Sequence, residues 1–217
     1  MHIISPPFDK NQADWSQKYR PASLEDTILP DSIKSRLIAL RDNDAGLSLL
    51  FHGDAGTGKT TAALLLNDYC NNFRINCSLH RGIEMVRELD RPDFHTPMVF
   101  GGRRTFILDE ADYLTDEAQA AFRGLIEKLS GTSIFVFTAN YPNKIIGPLH
   151  SRLQPVDFNF RGNVELMNVM IKRALDILKL ESIDADNRVV EKVVLDNFPD
   201  MRQVLKRLQY HYGLKVT

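Results

Sequence analysis

Residues 53–60 have the types and spacing needed to hold a chain of phosphates. Their sequence, Gly-Asp-Ala-Gly-Thr-Gly-Lys-Thr, matches the pattern G-x-x-x-x-G-K-[ST], in which glycines let backbone N–H groups point at phosphate oxygens. The apolar run before it, 47–52, predicts a strand, and residues 59–69 predict a helix. Because a helix N-terminus carries a positive partial charge, this order predicts a phosphate-binding loop.

The side chains at the end of this loop predict a site for ATP and Mg²⁺. Lys59 is expected to reach the β- and γ-phosphates, and the Thr60 hydroxyl is expected to bind Mg²⁺. Asp54 is unusual here, because a carboxylate repels phosphates, so we expect its side chain to point away from them. The predicted nucleotide-binding residues of this segment are Gly53, Gly56, Thr57, Gly58, Lys59, Thr60 and Thr61.

An acidic pair, Asp109 and Glu110, ends the apolar run that begins at Phe106. A buried strand would bring Asp109 to the carboxyl edge of a sheet, beside the phosphate-binding loop, where it could hold Mg²⁺ directly or through water. Glu110 could then orient and deprotonate the attacking water. Residues 109–112, Asp-Glu-Ala-Asp, also match the DEAD box of helicases, but 217 residues leave no room for the second α/β domain of a helicase core.

Asn140 follows another apolar run, whose last residues are Phe137, Thr138 and Ala139. An amide at this strand tip could hydrogen-bond both the γ-phosphate and the lytic water. Taken alone, an Asn before Tyr-Pro is more typical of a simple turn. Beside a phosphate-binding loop and an acidic pair, the interpretation as a γ-phosphate sensor is favoured.

The elements that must position these residues alternate along the first 158 residues. The predicted strands are 47–52, 73–77, 105–109, 133–138 and 155–158, and the predicted helices are 34–41, 59–69, 82–89 and 116–129. This alternation predicts an α/β fold, with a parallel five-stranded sheet covered by helices on both faces. From about residue 161 the apolar residues recur only at helical spacing, which divides the chain into an α/β domain, 1–158, and a small all-helical domain, 159–217.

The composition is that of an ordinary globular protein, with 43% hydrophobic and 25% charged residues. The net charge of −1 means that any nucleic-acid surface must be a local patch. Cys70 and Cys77 are the only cysteines, and no Cys/His cluster has metal-ligand spacing, which predicts a reducing compartment. The sequence shows neither a signal peptide nor a run of about 18 apolar residues, so we expect a cytoplasmic protein.

In this order the motifs resemble those of AAA+ ATPases, and further segments resemble one branch, the clamp-loader subunits of the replication factor C small-subunit and phage clamp-loader type. Residues 15–21, Trp-Ser-Gln-Lys-Tyr-Arg-Pro, and 27–30, Thr-Ile-Leu-Pro, look like that family's N-terminal nucleotide-binding motif. Without the resemblance, the same stretch indicates only a turn and a hydrophobic anchor. By the resemblance, the adenine and ribose side of the site is lined by Ser16, Gln17, Lys18, Tyr19 and Ile28.

Two arginines acquire roles through this resemblance. Residues 151–153, Ser-Arg-Leu, are similar to the family's Ser-Arg-Cys motif, whose arginine enters the ATP site of the neighbouring subunit. Arg152 would then stabilise charge on the γ-phosphoryl oxygens in an oligomer, although an ordinary surface arginine is the alternative. Residues 198–202, Phe-Pro-Asp-Met-Arg, resemble the sensor-2 region, so Arg202 would contact the phosphates from the second domain, the lid.

Residues 76–87 resemble the family segment whose helix tracks DNA phosphates in the central channel. Arg81 and Arg87 are the predicted DNA-binding residues, and such contacts would carry no sequence information. Arg91, Arg103 and Arg104 are weaker candidates, for which a solvated charged surface is an equal explanation. The resemblance of residues 114–123 to the family's next helix implies that Gln119 links the DNA side to the ATP side.

The resemblance, which covers about residues 15–212, implies an ATPase subunit that binds other clamp-loader subunits, a sliding clamp and primer–template DNA. The compartment would be the host cytoplasm if the gene is a phage gene. Another replication-linked AAA+ ATPase, such as a helicase loader, and a nucleotide-binding subunit that does not hydrolyse ATP remain the alternatives. The resemblance would also imply a helical collar domain, which the sequence up to Thr217 does not show, so we expect either a fragment or assembly through other contacts or another polypeptide.

Overall fold

The computed structural model describes residues 14–43, 46–66, 72–98 and 102–213. The described residues include one five-stranded sheet in the order β2-β3-β4-β1-β5. Its strands are β1 (Leu49–His52), β2 (Asn72–Asn76), β3 (Arg104–Asp109), β4 (Ser133–Ala139) and β5 (Gln154–Asp157). Every neighbouring pair is parallel, so the carboxyl ends of all five strands share one edge.

Alternate residues of the strands pack against helices on opposite faces of the sheet. On one face, Ile107 and Val136 pack with α2 (Asp31–Asp42) and α3 (Lys59–Leu64). On the other face, Phe106 and Phe137 pack with four helices. These are α4 (Ile83–Leu89), α5 (Pro92–His95), α6 (Asp116–Leu129) and α7 (Gly147–His150). The predicted fold class, a parallel α/β sheet covered on both faces, is confirmed.

The lid follows β5 and consists of α8 (Val164–Leu180), α9 (Asn187–Asn197) and α10 (Met201–Leu208), with a π-helical segment, Gln209–Gly213, after them. Polar side chains begin each helix: Asn163, Asp186 and Asp200 accept hydrogen bonds from backbone N–H groups in the first turns. The lid core also buries Trp15 of α1 (Trp15–Lys18), so the N-terminal segment packs onto the lid.

Several boundaries differ from the sequence prediction. The first strand begins at Leu49 instead of residue 47, because the Leu47 side chain is 48% exposed. The four-residue helices α1, α5 and α7 were not predicted, because so few residues cannot show a helical period. Residues 67–69 of the predicted helix 59–69, and Cys70, lie outside the described residues. The division at 158/159 stays a prediction. In the described part of the chain no helix has the length and apolarity of a membrane span.

Candidate functional site

The phosphate-binding loop lies between β1 and α3, at the carboxyl edge of the sheet. Gly56 and Gly58 have φ angles of 71° and 95°, which glycine adopts without strain. A Cβ atom at Gly56 would lie 1.8 Å from a carboxylate oxygen of Asp200 in the lid. Only glycine therefore allows the lid to approach the loop this closely.

The ammonium group of Lys59 is enclosed by this loop. Its Nζ donates hydrogen bonds to the carbonyl oxygens of Gly53 and Asp54, at 2.8 and 2.6 Å. Burial lowers the pKa of Lys59 to about 8, although the negative charge of Asp109 opposes this shift. The lysine is thus a desolvated cation, whose charge acts strongly on any anion that enters the loop.

Asp109 ends β3 beside the loop, and both of its oxygens accept hydrogen bonds. Oδ1 accepts from the hydroxyls of Thr60, at 2.8 Å, and Thr138, at 2.6 Å. Oδ2 accepts from a guanidinium nitrogen of Arg74 at 2.6 Å. Burial alone would raise the pKa of Asp109, but these hydrogen bonds and the Arg74 charge outweigh it and lower the pKa. The carboxylate is therefore held ionised next to Thr60, the other predicted metal ligand.

Glu110 and Asn140 lie at the tips of two adjacent strands, β3 and β4, and both line the same cleft as Lys59. The Glu110 backbone has φ 59° and its N–H donates to the Thr138 hydroxyl at 3.1 Å. A non-glycine residue in this left-handed conformation is a feature that clusters at functional sites. Thr138 therefore fixes the position of both acidic residues, a role that the sequence did not reveal.

The cleft has a volume of about 540 Å³ and runs between the sheet edge and the lid. One end, here called the P-loop end, is lined by Lys59, Thr60, Asp109, Glu110 and Asn140. The other, here called the α1 end, is lined by Ser16, Gln17, Tyr19, Ile28 and the lid residues Met170 and Leu205. Of the predicted nucleotide-binding residues, the cleft is lined by Ser16, Gln17, Tyr19, Ile28, Gly56, Thr57, Gly58, Lys59, Thr60, Thr61 and Arg202.

Two of the predicted nucleotide-binding residues do not line the cleft. Lys18 instead donates to Glu181 at the end of α8, at 2.6 Å, so its amine is engaged in joining α1 to the lid. Gly53 lies behind the loop, where a Cβ atom would be only 2.5 Å from the backbone of Phe158. The N-terminal motif therefore lines the cleft through Ser16, Gln17 and Tyr19. Gly53 contributes its carbonyl oxygen, which accepts a hydrogen bond from Lys59.

Charged lid residues surround the P-loop end. Arg202, near the start of α10, lines the cleft. Burial is the main cause of the lowered pKa of Lys59, and the positive charge of Arg202 lowers it further. Asp54 forms two hydrogen bonds, at 2.7 and 3.0 Å, with Arg161, which lies between β5 and the first lid helix, α8. The Asp54 carboxylate is therefore paired with the guanidinium of Arg161, and this unusual residue of the loop joins the loop to the segment before α8.

The predicted oligomer and DNA residues lie outside the cleft. Arg152 is exposed and bonds Glu127 on α6 at 2.5 Å. Arg81 and Arg87 are exposed before and within α4, whereas Arg104 donates to backbone carbonyls around α5, including Thr96 at 2.8 Å. Arg104 is thereby used in packing.

The buried amide of Gln119 links two loops at the sheet edge. Its side-chain N–H groups donate to the carbonyls of Leu114, at 3.2 Å, and Lys144, at 3.0 Å, while its oxygen accepts from the N–H of Ile146 at 2.8 Å. It therefore ties α6 to the segment between β4 and α7. Whether it also carries a signal between DNA and ATP stays a prediction.

A parallel sheet with a phosphate-binding loop after β1, an acidic pair after β3, a polar strand tip after β4 and a helical lid defines the AAA+ class of P-loop protein. Residues 49–159 match the model of the ATPase family associated with various cellular activities (AAA). Residues 162–216 match the AAA+ ATPase lid domain of the sliding-clamp-loader large subunit. The chain therefore belongs to the AAA+ ATPase family, with a lid of the clamp-loader type.

Two relatives with similar sequences bear the same name. The replication factor C small subunit of Halobacterium salinarum is 35% identical over 207 residues, 91% of this chain and 62% of that protein. That of Sulfurisphaera tokodaii is 37% identical over 215 residues, 94% of this chain and 64% of that protein. The chain spans less than two thirds of these relatives.

The fold also matches solved structures. The Thermotoga maritima RuvB Holliday junction branch migration motor superposes with a TM-score of 0.66 at 19% identity, covering 88% of this chain and 64% of that one. At this identity the match shows the shared architecture of sheet and lid.

Proposed function

We propose that this chain is a Mg²⁺-dependent ATPase and one subunit of a complex that loads a ring-shaped sliding clamp onto primer–template DNA. The observation that carries the ATPase proposal is the convergence of Lys59, Thr60, Asp109, Glu110 and Asn140 on one cleft. These residues supply a phosphate-binding cation, two oxygen ligands for a metal, a carboxylate base and an amide sensor. No single one of them would be specific, but their combination fits phosphoryl transfer.

The cleft also fits the two ligands that this reaction needs. At the α1 end the Ser16 hydroxyl is buried and has no hydrogen-bond partner among the described residues, so a ligand would satisfy it. At the P-loop end the predicted metal ligands are two oxygen donors, the Thr60 hydroxyl and the Asp109 carboxylate. Such a sparse set suits Mg²⁺, which keeps several waters and takes further oxygens from phosphates. The ion would neutralise charge between the β- and γ-phosphates.

In the proposed reaction Glu110 accepts a proton from water as the water oxygen attacks the γ-phosphorus, and the bond from that phosphorus to ADP breaks. Lys59 stabilises the negative charge that moves onto the phosphate oxygens, and Asn140 orients the water. Arg202 adds a second cation from the lid, so its contact with phosphate would couple the nucleotide state to the lid angle.

The clamp-loader part of the proposal is supported by the lid, whose matching model is that of a sliding-clamp-loader large subunit, and by relatives named replication factor C small subunit. Arg152 does not line the cleft of its own chain and lies exposed on the surface, which suits a role in the site of a neighbouring subunit. Arg81 and Arg87 are exposed and available to DNA phosphates. The proposed partners are other clamp-loader subunits, a sliding clamp and primed DNA, and the proposed compartment is the cytoplasm.

The test is steady-state ATP turnover by the full chain with its partner subunits, in the presence of primed DNA and a ring clamp. Turnover should rise when DNA and clamp are added together, and Glu110→Gln should lower it by about 100-fold while ATP affinity stays within about threefold. Glu117→Gln, an exposed change on α6, is the matched control. Stimulation by DNA that is indifferent to the clamp would indicate another replication ATPase, and no turnover by the assembled parent would indicate a nucleotide-binding structural subunit.

A further inference from the structure

Arg74 is a cation at the P-loop end that donates to Asp109 and is not among the residues proposed to bind phosphate, metal ion or water. It lies on β2, which pairs with β3 so that Asn76 is opposite Asp109. Because side chains alternate between the two faces of a sheet, Arg74 projects from the same face as Asn76 and Asp109. The sheet register itself therefore brings the guanidinium to the metal-binding carboxylate.

The contact that results is a partly buried ion pair. The Arg74 nitrogen lies 2.6 Å from Asp109 Oδ2, and the side chains of the two residues are 34% and 8% exposed. The Arg74 Nε is buried and has no hydrogen-bond partner among the described residues. Arg74 also lines the cleft, so its positive charge faces the space in which phosphates would lie. Charges in such a position are poorly screened by salt.

We propose that Arg74 is a positioning residue that sets how strongly nucleotide binding depends on Mg²⁺, because it places a fixed positive charge beside the carboxylate that holds the metal ion. This inference rests on the proposed function. A guanidinium on Oδ2 competes with the metal ion for Asp109 and repels it, so it weakens Mg²⁺ binding. The same charge attracts phosphates, so it strengthens nucleotide binding when no metal ion is present.

These two effects have opposite signs, and that difference separates the proposal from a purely structural role. If Arg74 only joins β2 to β3, its loss lowers stability and weakens nucleotide binding equally with and without Mg²⁺. If Arg74 acts as a fixed counter-charge, its loss weakens nucleotide binding without metal ion. The same loss increases the gain in nucleotide affinity that Mg²⁺ produces. The informative quantity is the ratio of the two dissociation constants, which a general loss of folded protein does not change.

The experiment compares the binding of N-methylanthraniloyl-ADP to the full chain in EDTA and across a Mg²⁺ titration, with fluorescence as the readout. Arg74→Gln should raise the ratio of the metal-free Kd to the Mg²⁺-saturated Kd by about tenfold or more, and should lower the Mg²⁺ concentration at half-effect. Arg74→Lys, which keeps the charge, should leave the ratio within about threefold of the parent. Arg36→Gln, an exposed change on α2, is the control.

A ratio that Arg74→Gln leaves unchanged, or equal losses in both buffers, would overturn this inference alone. If the parent chain binds the fluorescent ADP in neither buffer, the proposed nucleotide site is wrong and this inference falls with it. Thermal unfolding of each variant shows whether it is folded, and Arg74→Lys keeps the test informative if the neutral variant does not fold.

Discussion

The P-loop end and the α1 end of the cleft are built from different kinds of contact. At the P-loop end, Lys59 binds carbonyls only six and five residues away, and Asp109 bonds residues of α3 and of the two strands beside its own. At the α1 end, Trp15 packs into the lid core, and its backbone N–H donates to the side-chain oxygen of Gln209 at 3.0 Å, 194 residues away. The P-loop end is therefore held by the sheet, and the α1 end is held by the lid.

This difference teaches how nucleotide could move the lid. A ligand at the P-loop end meets groups whose positions are already fixed by strand ends and by the loop, so it gains affinity without moving the sheet. A ligand at the α1 end touches residues that are joined to the lid, so we expect its binding to favour one lid position. Affinity should therefore depend mainly on the P-loop end, and lid position should depend on both.

The largest effect should come from Lys59→Met, which keeps the aliphatic chain and removes the ammonium group. We expect the Kd for N-methylanthraniloyl-ADP to rise by about 100-fold or more, because a desolvated charge is lost from the phosphate site. The variant should remain folded, since removing a buried charge also removes its desolvation cost. Fluorescence titration and thermal unfolding measure the two quantities.

Lys192→Met, an exposed change on α9, is the control for this measurement. A loss below about threefold in a folded Lys59→Met variant would mean that the P-loop end does not dominate affinity. The claim that nucleotide affinity depends mainly on the P-loop end would then be wrong.

How much the sequence could predict follows the same division. The contiguous loop and the acidic pair at the end of an apolar strand placed Lys59, Thr60, Asp109 and Glu110 in one cleft, because parallel strands share a carboxyl edge. Arg74 had a weaker signal, a single cation at an alternate position of an apolar strand, and it was missed. Its partner depends on the β2–β3 register, which a linear pattern does not contain.

The α1 end was reached only through family resemblance, because its contacts join residues more than 160 positions apart, as in the pair Lys18 and Glu181. No periodicity in residues 15–19 indicates that Trp15 packs into the lid. For the same reason, the sequence predicted only that the Asp54 carboxylate points away from phosphates. It did not identify Arg161 as the partner of that carboxylate. Long-range pairing requires the folded chain.

A pH series should sharpen the comparison, with an intermediate effect. The pKa of Lys59 is lowered to about 8 by burial, and bound phosphates favour its protonated form. Above pH 8 the free lysine loses its proton, so binding must take one up, and Kd should rise by up to about tenfold per pH unit. Phosphate groups, whose second pKa is about 6, stay fully ionised there.

At the α1 end the hydrogen bond to Glu181 raises the pKa of Lys18, so that residue stays protonated in this range. The pH dependence therefore reports on the P-loop end alone. The measurement is the Kd for N-methylanthraniloyl-ADP from about pH 7.5 to about pH 9.5, and it should be flat in Lys59→Met. An equal slope in that variant would assign the titration to another group.

The smallest effect should come from the junction between α1 and the lid, where Lys18 and Tyr19 both donate to Glu181. If Lys18 acts by holding α1 against the lid, Lys18→Met and Glu181→Gln should each weaken nucleotide binding by about threefold, since partly exposed pairs contribute little. The double variant should be no weaker than either single one, because both changes break one contact. Glu191→Gln on α9 is the control.

If instead Lys18 touches the nucleotide, as the resemblance implies, Lys18→Met should weaken nucleotide binding more than Glu181→Gln does. The two losses of binding free energy should then add in the double variant. That result would show that the α1 end binds ligand directly through this lysine.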